Sequence, residues 1–275
     1  MLLVAIGNNR AARPQSGVEF ADVVYEVLAE GGITRLLALF GSRAAPDIGP
    51  VRSLRMAMAE IALGYDAPLA HAGGCEEALR FMARQAPKSL DGVRGAGAFF
   101  RRVTHRKAPD NLYTSTGQLI EGARARGLRL SPLVRLPHGD RAGGDPATRV
   151  VVAFARLVNA PNIVTYEYDG RVYRRSVNDS PHLSAQGQQL APENLVVLEV
   201  KTRTVMRQEP MLDMDVVGQG RALLFRDGRV HAGTWQKTGP GAMFVLRDTQ
   251  GQLFTFARGQ TWFHLVPDLK YVEYR

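Results

Sequence analysis

Short apolar runs separated by polar turns dominate the first forty residues of the chain. Residues 2–6 are apolar and end in Gly-Asn-Asn, which predicts a buried strand followed by a turn. The segment 22–29 is compatible with a helix or a strand, but its β-branched and aromatic residues favour a strand. Residues 34–40 predict a second strand, so Gly31-Gly32 would connect the two as a hairpin.

A helical pattern appears further along the first half. Residues 53–63 have helix-forming composition, and Ser53 is expected as the N-cap. Residues 67–70 predict a strand that leads into His-Ala-Gly-Gly, and residues 76–85 and 117–127 predict two more helices.

The pattern changes to short strands after a stretch rich in glycine, proline and polar residues at 138–148. This stretch predicts a boundary between two domains, 1–143 and 144–275. The expected fold class is α+β: an N-terminal α/β domain with a mixed sheet, followed by a mostly antiparallel β domain. The predicted strands of the second domain are 149–155, 163–168, 172–175, 195–200, 222–226, 230–235, 243–247, 253–256 and 261–266.

Composition places the chain among folded proteins and makes it strongly basic. Of 275 residues, 45% are hydrophobic and 22% are charged. There are 35 Lys+Arg against 26 Asp+Glu, a net charge of +9 that favours anionic partners. A solvated surface in an arginine-preferring genome is the alternative explanation.

Cysteine content and apolar runs exclude several protein classes. The single cysteine, Cys75, rules out internal disulfides and multi-cysteine metal motifs, and it is expected to be a small structural residue. No run approaches the roughly 20 apolar residues of a transmembrane helix. The start of the chain does not have the pattern of a signal peptide, so we expect no leader and no transmembrane segment in this chain.

Glycine mixed with charged or hydrogen-bonding residues recurs in the first 115 residues, a composition typical of turns that hold polar groups around a site. These segments are Ala-Arg-Pro-Gln-Ser-Gly (12–17), the stretch 21–35, Gly-Pro-Val-Arg-Ser-Leu-Arg (49–55), His-Ala-Gly-Gly (71–74) and Ala-Pro-Asp-Asn-Leu-Tyr-Thr-Ser (108–115).

The segment 49–55 predicts an anion pocket at a helix start. If Ser53 opens a helix, the first free N–H groups, Arg52 and Arg55 would converge on one place. The alternative is an ordinary capped helix whose two arginines pair with Glu26 or Glu30.

A basic stretch at 92–107 includes Arg102 and Arg106 and is interrupted by two phenylalanines. Such a pattern can bind phosphates, although a solvated basic loop is the more ordinary explanation. We find no RNA-recognition signature, helix-turn-helix spacing or zinc finger, so a nucleic-acid partner is not expected.

One histidine and three carboxylates are candidates for acid–base chemistry. His71 follows a predicted strand and could act as a general base, or it could be a hydrogen-bonded structural histidine. Asp22, Glu26 and Glu30 would share one strand face and are candidate acids or Mg²⁺ ligands. A solvent-facing sheet surface is the alternative for these carboxylates.

The segment 108–115 contributes further hydrogen-bonding groups, and no serine-hydrolase, Walker or zincin motif accompanies them. The predicted ligand-binding set joins this segment to the basic residues. Its members are Arg35, Arg52, Ser53, Arg55, Arg102, Arg106, Asn111 and Tyr113, with His71 beside them.

Taken together, these segments resemble the YerB-like family of bacterial envelope lipoproteins of unassigned biochemical function. The chain has the family's pattern in order at 13–17, 21–26, 30–35, 49–53, 71–74, 108–115 and 225–235. The resemblance implies two family domains and an extracytoplasmic protein that is usually anchored through a lipidated N-terminal cysteine. This sequence shows neither that cysteine nor its leader.

The order of the same segments also resembles the LytR-CpsA-Psr transferases, which move wall polymers from polyprenyl-pyrophosphate carriers. By that resemblance Arg52 would bind pyrophosphate, and Asp22 would be an early acid that binds Mg²⁺. Ser53 stands where those enzymes have an aspartate, so this chain departs from their pattern at a metal-binding position.

Three functions follow from these observations. The first is an envelope protein that binds an anionic, phosphate-bearing ligand such as a wall precursor, with an envelope protein as a further partner. The second is a metal-dependent phosphoryl or glycosyl-phosphoryl transferase with Asp22 and Glu26 on Mg²⁺. The third is an interaction scaffold without a pocket.

Overall fold

A computed structural model describes residues 1–85, 88–155, 161–206 and 210–275. Up to residue 134 the helices are α1 (Met56–Tyr65), α2 (Glu76–Arg84) and α3 (Thr116–Ala125). The strands of this part are β1 (Leu2–Gly7), β2 (Val23–Leu28), β3 (Thr34–Phe40), β4 (Leu69–His71), β5 (Ser89–Asp91), β6 (Arg101–Arg102) and β7 (Leu112–Tyr113).

The described remainder of the chain contains strands and one 3-10 turn, Leu269–Tyr271. The strands are β8 (Asp145–Pro146), β9 (Arg149–Ala155), β10 (Asn162–Tyr168), β11 (Tyr173–Val177), β12 (Ser180–Pro181), β13 (Asn194–Glu199), β14 (Thr202–Met206), β15 (Pro210–Met214), β16 (Gly218–Arg226), β17 (Arg229–Lys237), β18 (Val245–Asp248), β19 (Thr261–Val266) and β20 (Val272–Tyr274).

The chain forms two compact units whose segments alternate along the sequence. Unit 1 comprises Met1–Val24, Arg35–Val134 and Leu183–Gln188, and unit 2 comprises the rest of the described chain. The boundary predicted at 143/144 stays a prediction, since the compact units are not two consecutive stretches.

Unit 1 is built on a mixed sheet. Strand β1 pairs antiparallel with β3 and parallel with β4, and β4 pairs parallel with β5. Leu2 to Gly7 are all buried, as expected for a central strand with both faces covered. Helices α1 and α2 follow strands β3 and β4 of this sheet, and α3 follows β7 of the separate β6–β7 pair, in line with the α/β arrangement that the sequence predicts.

Unit 2 is mostly antiparallel. One sheet pairs β13, β16, β17 and β18 antiparallel, with β19 parallel to β13. A second sheet has the order β12-β11-β10-β9-β20, and β14 and β15 form a separate hairpin. Asp227 and Gly228, with φ of 53° and 71°, make the tight turn between β16 and β17. The predicted two-domain α+β class is confirmed.

The predicted N-cap at Ser53 was wrong. Helix α1 begins at Met56, and Arg55 is its N-cap without a side-chain hydrogen bond. The preceding backbone is extended because Leu54 N donates to the Gly73 carbonyl at 3.0 Å, and Cys75 N donates to the Leu54 carbonyl at 3.1 Å. These strand-like bonds delay the helix, so the Ser53 side chain does not cap it.

Candidate functional site

The segment 49–55 lies alongside the first strand of unit 1. Gly7 N donates to the Pro50 carbonyl at 2.9 Å, and Arg52 N donates to the Ala5 carbonyl at 2.8 Å. On the other side, Ala72 N donates to the Arg52 carbonyl at 3.0 Å. The backbone of Arg52 is therefore held between two neighbours, which fixes its side chain at the C-terminal end of β1.

Glycine at position 7 lets the Arg52 side chain cross the end of the strand. A Cβ on Gly7 would lie 2.7 Å from Arg52 Cγ and 3.0 Å from Ala12 Cβ, closer than such atoms approach. The close approach explains why the strand ends in glycine rather than in another apolar residue.

The Arg52 side chain meets a carboxylate from the segment 108–115. Arg52 Nε lies 3.5 Å from Asp110 Oδ1, and Asn9 Nδ2 donates to Asp110 Oδ2 at 3.3 Å. Asp110 is 8% exposed, so its charge is largely removed from water and depends on these neighbours.

Arg106 and Tyr113 complete a group that we name the Asp110 cluster (Asn9, Arg52, Arg106, Asp110 and Tyr113). Burial raises the pKa of the Tyr113 phenol, which also interacts electrostatically with Arg106 and Asp110. The Arg106 guanidinium donates to the carbonyls of Ala11 and Pro14, each at 2.6 Å. The cluster thus combines two guanidinium groups, one carboxylate, an amide and a phenol.

The loop that follows β1 is held by its own polar side chains. Gln15 Nε2 donates to the Gly7 carbonyl at 3.0 Å and to Asn8 Oδ1 at 2.8 Å. Ser184, from the segment that joins unit 1 late in the chain, forms a parallel bridge with Gln15. These contacts keep Asn9 and the carbonyls that Arg106 binds in a fixed arrangement.

His71 lies at the end of β4 and is buried by its own unit. Its Nδ1 is 2.8 Å from the Gly73 carbonyl and its Nε2 is 2.8 Å from Ser89 Oγ. Burial lowers the pKa of His71, although Asp91 opposes that shift. Both ring nitrogens have protein partners, the geometry of a histidine that holds the turn 72–74 in place.

The other predicted binding residues occupy several places around β1 and α1. Arg35 is buried opposite Gly7 in the β1–β3 register. Arg55 Nη1 donates to Ser53 Oγ at 2.7 Å, within the segment 49–55. Arg102, on β6, donates through Nη1 to Asn111 Oδ1 at 2.6 Å, and this pair is exposed.

Asp22, a predicted acid, binds backbone within unit 1. Its Oδ2 accepts hydrogen bonds from Gly41 N at 2.7 Å and Ser42 N at 3.0 Å, and its Oδ1 accepts one from the Ser42 hydroxyl. The carboxylate therefore caps the turn after β3.

Glu26, the second predicted acid, is fully buried in unit 2. Its Oε2 lies 2.9 Å from Arg175 Nη2 and 3.2 Å from His264 Nδ1, and Thr34 Oγ1 donates to its Oε1 at 2.7 Å. Arg175 Nη1 and His264 Nε2 both reach the Tyr166 hydroxyl, at 2.5 Å and 3.0 Å.

Charge is balanced inside this buried network. Burial alone would raise the pKa of Glu26, but Arg175, His264 and Thr34 outweigh it and lower the pKa to about 2. Burial lowers the pKa of His264, and the neighbouring Glu26 opposes that shift; His264 Nε2 lies 3.0 Å from the Tyr166 hydroxyl. The network is fully buried and is therefore a core element rather than an open site.

The structure assigns Asp22 to unit 1 and Glu26 to unit 2, and each carboxylate already has partners in its own unit. Within the described ranges, no group of three or more His, Cys, Asp or Glu side chains could hold a metal ion. Mg²⁺ binding by these two residues therefore stays a prediction.

Three residues of the predicted set, Arg52, Arg106 and Tyr113, lie in the Asp110 cluster, but Asp110 itself is not in the predicted set. Asp110 lies within the segment 108–115, between the cis Ala108-Pro109 bond and Asn111, and the sequence pattern does not distinguish it from its neighbours. The sequence pattern predicts Asn9 only as part of a turn. The available signal was position: Asn9 follows the C-terminal end of a buried strand, where polar side chains often meet.

Two family models match consecutive stretches of the chain. A model described as "Protein of unknown function (DUF3048) N-terminal domain" matches residues 1–129, and the corresponding C-terminal domain model matches residues 151–263. The chain is 32% identical over 273 residues to "Putative lipoprotein YerB" of Bacillus subtilis (strain 168), covering 97% of this chain and 81% of that protein.

A solved structure has the same fold. The crystal structure of YerB protein from Bacillus subtilis matches with a TM-score of 0.90 and 31% identity, covering 99% of this chain and 92% of that one. Identity at this level over nearly the whole length extends beyond a shared fold to a shared family. The chain therefore belongs to the DUF3048 family, whose N- and C-terminal domains are both described as of unknown function.

Proposed function

We propose that this protein acts in the cell envelope and binds an anionic ligand that carries phosphate or pyrophosphate, such as a cell-wall precursor, at the Asp110 cluster. The name of the Bacillus subtilis relative, a putative lipoprotein, supports the envelope location. In the described part of the chain, no helix is long and apolar enough to cross a membrane.

The environment of Arg52 is the observation that carries the ligand proposal. Its side chain is 18% exposed and has one ion pair, to Asp110, and within the described residues its guanidinium makes no hydrogen bond. An arginine fork held in place by its backbone, with its amino groups still available, is suited to bidentate phosphate binding.

Charge balance supports the same choice of ligand. Unit 1 contains 17 Lys/Arg and 10 Asp/Glu, a net +7, whereas unit 2 contains 18 and 16, a net +2. The positive field of unit 1 would attract anions towards the Asp110 cluster, and the second guanidinium, from Arg106, would add to it.

Ligand-induced thermal stabilisation of the purified protein tests this proposal. Pyrophosphate and isoprenoid pyrophosphates, each with and without Mg²⁺, are expected to raise the Tm of the wild-type protein. Arg52→Lys keeps the charge but loses the fork, so it should reduce the shift, and Arg52→Ala should abolish it. Arg84→Ala, which removes an exposed arginine of α2, is the matched control.

Three other outcomes of this experiment would favour a different function or a different binding site. No shift with any of these anions would contradict the proposal and leave the scaffold function. A shift that survives in Arg52→Ala would assign the binding to another site. A shift that requires Mg²⁺ and is lost in Asp22→Asn would favour the transferase.

A further inference from the structure

The turn after β5 lies against the C-terminal end of α3 in unit 1. Arg126, which follows the last residue of the helix, donates a hydrogen bond through Nη2 to the Gly95 carbonyl. This contact brings the turn that carries Arg94 to the helix end. Arg124 lies in the last turn of the helix and Arg129 follows it, so four arginines belong to one region.

Three of these arginines, unlike Arg126, make no side-chain hydrogen bond or ion pair within the described residues. Arg94, Arg124 and Arg129 are exposed, and within the described residues their guanidinium groups make no ion pair or hydrogen bond. Such side chains are not held by the fold, so their charge is available to a partner.

Acidic groups do not neutralise this region. Asp91 is 7% exposed, and its Oδ1 accepts hydrogen bonds from Gly73 N at 2.9 Å and Val93 N at 3.0 Å, so it faces the protein. Glu121 is the exposed acid of α3, one turn before Arg124. Four guanidinium groups against one exposed carboxylate leave the region strongly positive.

Exposed aliphatic side chains adjoin the same arginines. Val93 is 52% exposed and precedes Arg94, and Leu130 is 39% exposed and follows Arg129. Soluble surfaces tolerate single exposed aliphatic residues, but two of them next to unpaired arginines resemble the mixed apolar and basic character of membrane-surface binders.

We propose that this arginine face (Val93, Arg94, Arg124, Arg126, Arg129 and Leu130) docks unit 1 on the surface of a bilayer that contains anionic phospholipid. The arginines match the charge of the headgroups, and the two aliphatic side chains can enter the interface. A soluble phosphate ligand would need convergent groups, whereas these arginines are spread over a helix end and a turn.

Sedimentation of the full chain with vesicles tests the proposal. Binding is expected to vesicles of phosphatidylglycerol mixed with phosphatidylcholine, and not to phosphatidylcholine alone. Raising the salt from about 0.1 M to about 1 M should release the protein, since the Debye length falls from about 10 Å to about 3 Å. Each arginine lost should weaken binding about fivefold.

The double variant Arg94→Glu/Arg129→Glu should lower binding by more than about 25-fold, because two attractive charges become repulsive. Arg171→Glu/Arg258→Glu changes the net charge equally through two exposed arginines of unit 2, and it should bind nearly as wild type. Arg126 is left intact because it holds the turn. Thermal melting of each variant confirms that it is folded.

Three results would overturn the proposal. Equal losses in the two double variants would show attraction by net charge without a defined face. Equal binding to phosphatidylcholine vesicles would show apolar adsorption. Binding to polyphosphate or duplex DNA that is lost in Arg94→Glu/Arg129→Glu, with no vesicle binding, would assign the face to a soluble polyanion. Arg52→Lys should leave vesicle binding unchanged, which separates this face from the Asp110 cluster.

Discussion

Arg52 and Asp110 form a partly buried ion pair at the end of the first strand, with 3.5 Å between Nε and Oδ1. The pair orients the guanidinium without occupying its amino groups. Asp110 therefore has two opposing effects on an incoming anion, because it positions Arg52 and also repels negative charge.

Because of these two opposing effects, we expect Asp110→Asn to change ligand binding and protein stability in opposite directions. The amide keeps the shape of the side chain but removes the repulsion, so the Kd for pyrophosphate should fall several-fold. The folded state should lose about 1–2 kcal/mol, since Arg52 loses its counter-charge. Isothermal calorimetry and urea unfolding measure the two effects. Weaker binding by a folded Asp110→Asn protein would contradict this prediction, because it would show that the positioning of Arg52 outweighs the repulsion.

Gly7 is expected to tolerate no side chain. In Gly7→Ala the new Cβ would lie 2.7 Å from Arg52 Cγ, so the arginine must move or the strand end must shift. We expect a loss of about 1–3 kcal/mol of stability and a weaker pyrophosphate response. Gly241→Ala is the control, because a Cβ there has no atom within 4 Å. Equal stability of the two variants would mean that the strand end adapts without cost.

Glu26 is expected to contribute to the stability of unit 2 rather than to turnover. Glu26→Gln leaves the buried Arg175 without its counter-charge, which should cost roughly 3–5 kcal/mol in urea unfolding. Thr34→Val removes one hydrogen bond to the same carboxylate and should cost about 1 kcal/mol. Glu26→Gln with wild-type stability would show that the pair is not formed in solution.

The same carboxylate predicts a loss of stability in strong acid. Its pKa is about 2 in the folded protein against an ordinary value of 4.5, so the unfolded chain takes up the proton first. The contribution of Glu26 is complete above about pH 4.5 and disappears as the pH falls towards 2. Denaturant unfolding of the wild type and Glu26→Gln through this range should converge at the acid end.

Buried histidines predict a second pH dependence at higher pH. Burial lowers the pKa of His71 and His264, so the unfolded chain binds protons that the folded protein resists. Stability is complete above about pH 6.5 and falls below it, by up to about 1.4 kcal/mol per pH unit for each histidine. His71→Gln should remove one part of this slope. An unchanged slope in that variant would assign the titration elsewhere.

Much of the secondary structure follows from the sequence alone. The β-branched residues of 22–29 outweighed its helical compatibility, and the structure has a strand at Val23–Leu28. The start of α1 could not be found in this way. Ser53 satisfies the local rules for an N-cap, but hydrogen bonds to residues 73–75, distant in sequence, keep its surroundings extended.

The candidate site was only partly accessible to sequence reasoning. Segments with mixed glycine and polar character contained Arg52, Arg106 and Tyr113, which the Asp110 cluster does bring together. Residue character alone could not distinguish Asp110, which is buried and paired, from an exposed turn aspartate. The alternation of residues also predicts Asp22 and Glu26 on one strand face. In the structure Asp22 belongs to unit 1 and Glu26 to unit 2, because the boundary between the units follows Val24.

The late segment Leu183–Gln188 belongs to unit 1, where Ala185 N donates to the Gln15 carbonyl at 2.8 Å. During synthesis the N-terminal unit must therefore wait for Gln188 to leave the ribosome before its last native contacts can form. By then all of β9 to β12 has already been made. Folding of this chain is thus not strictly sequential from its N-terminus, and a nascent chain released before residue 183 would hold an incomplete first unit.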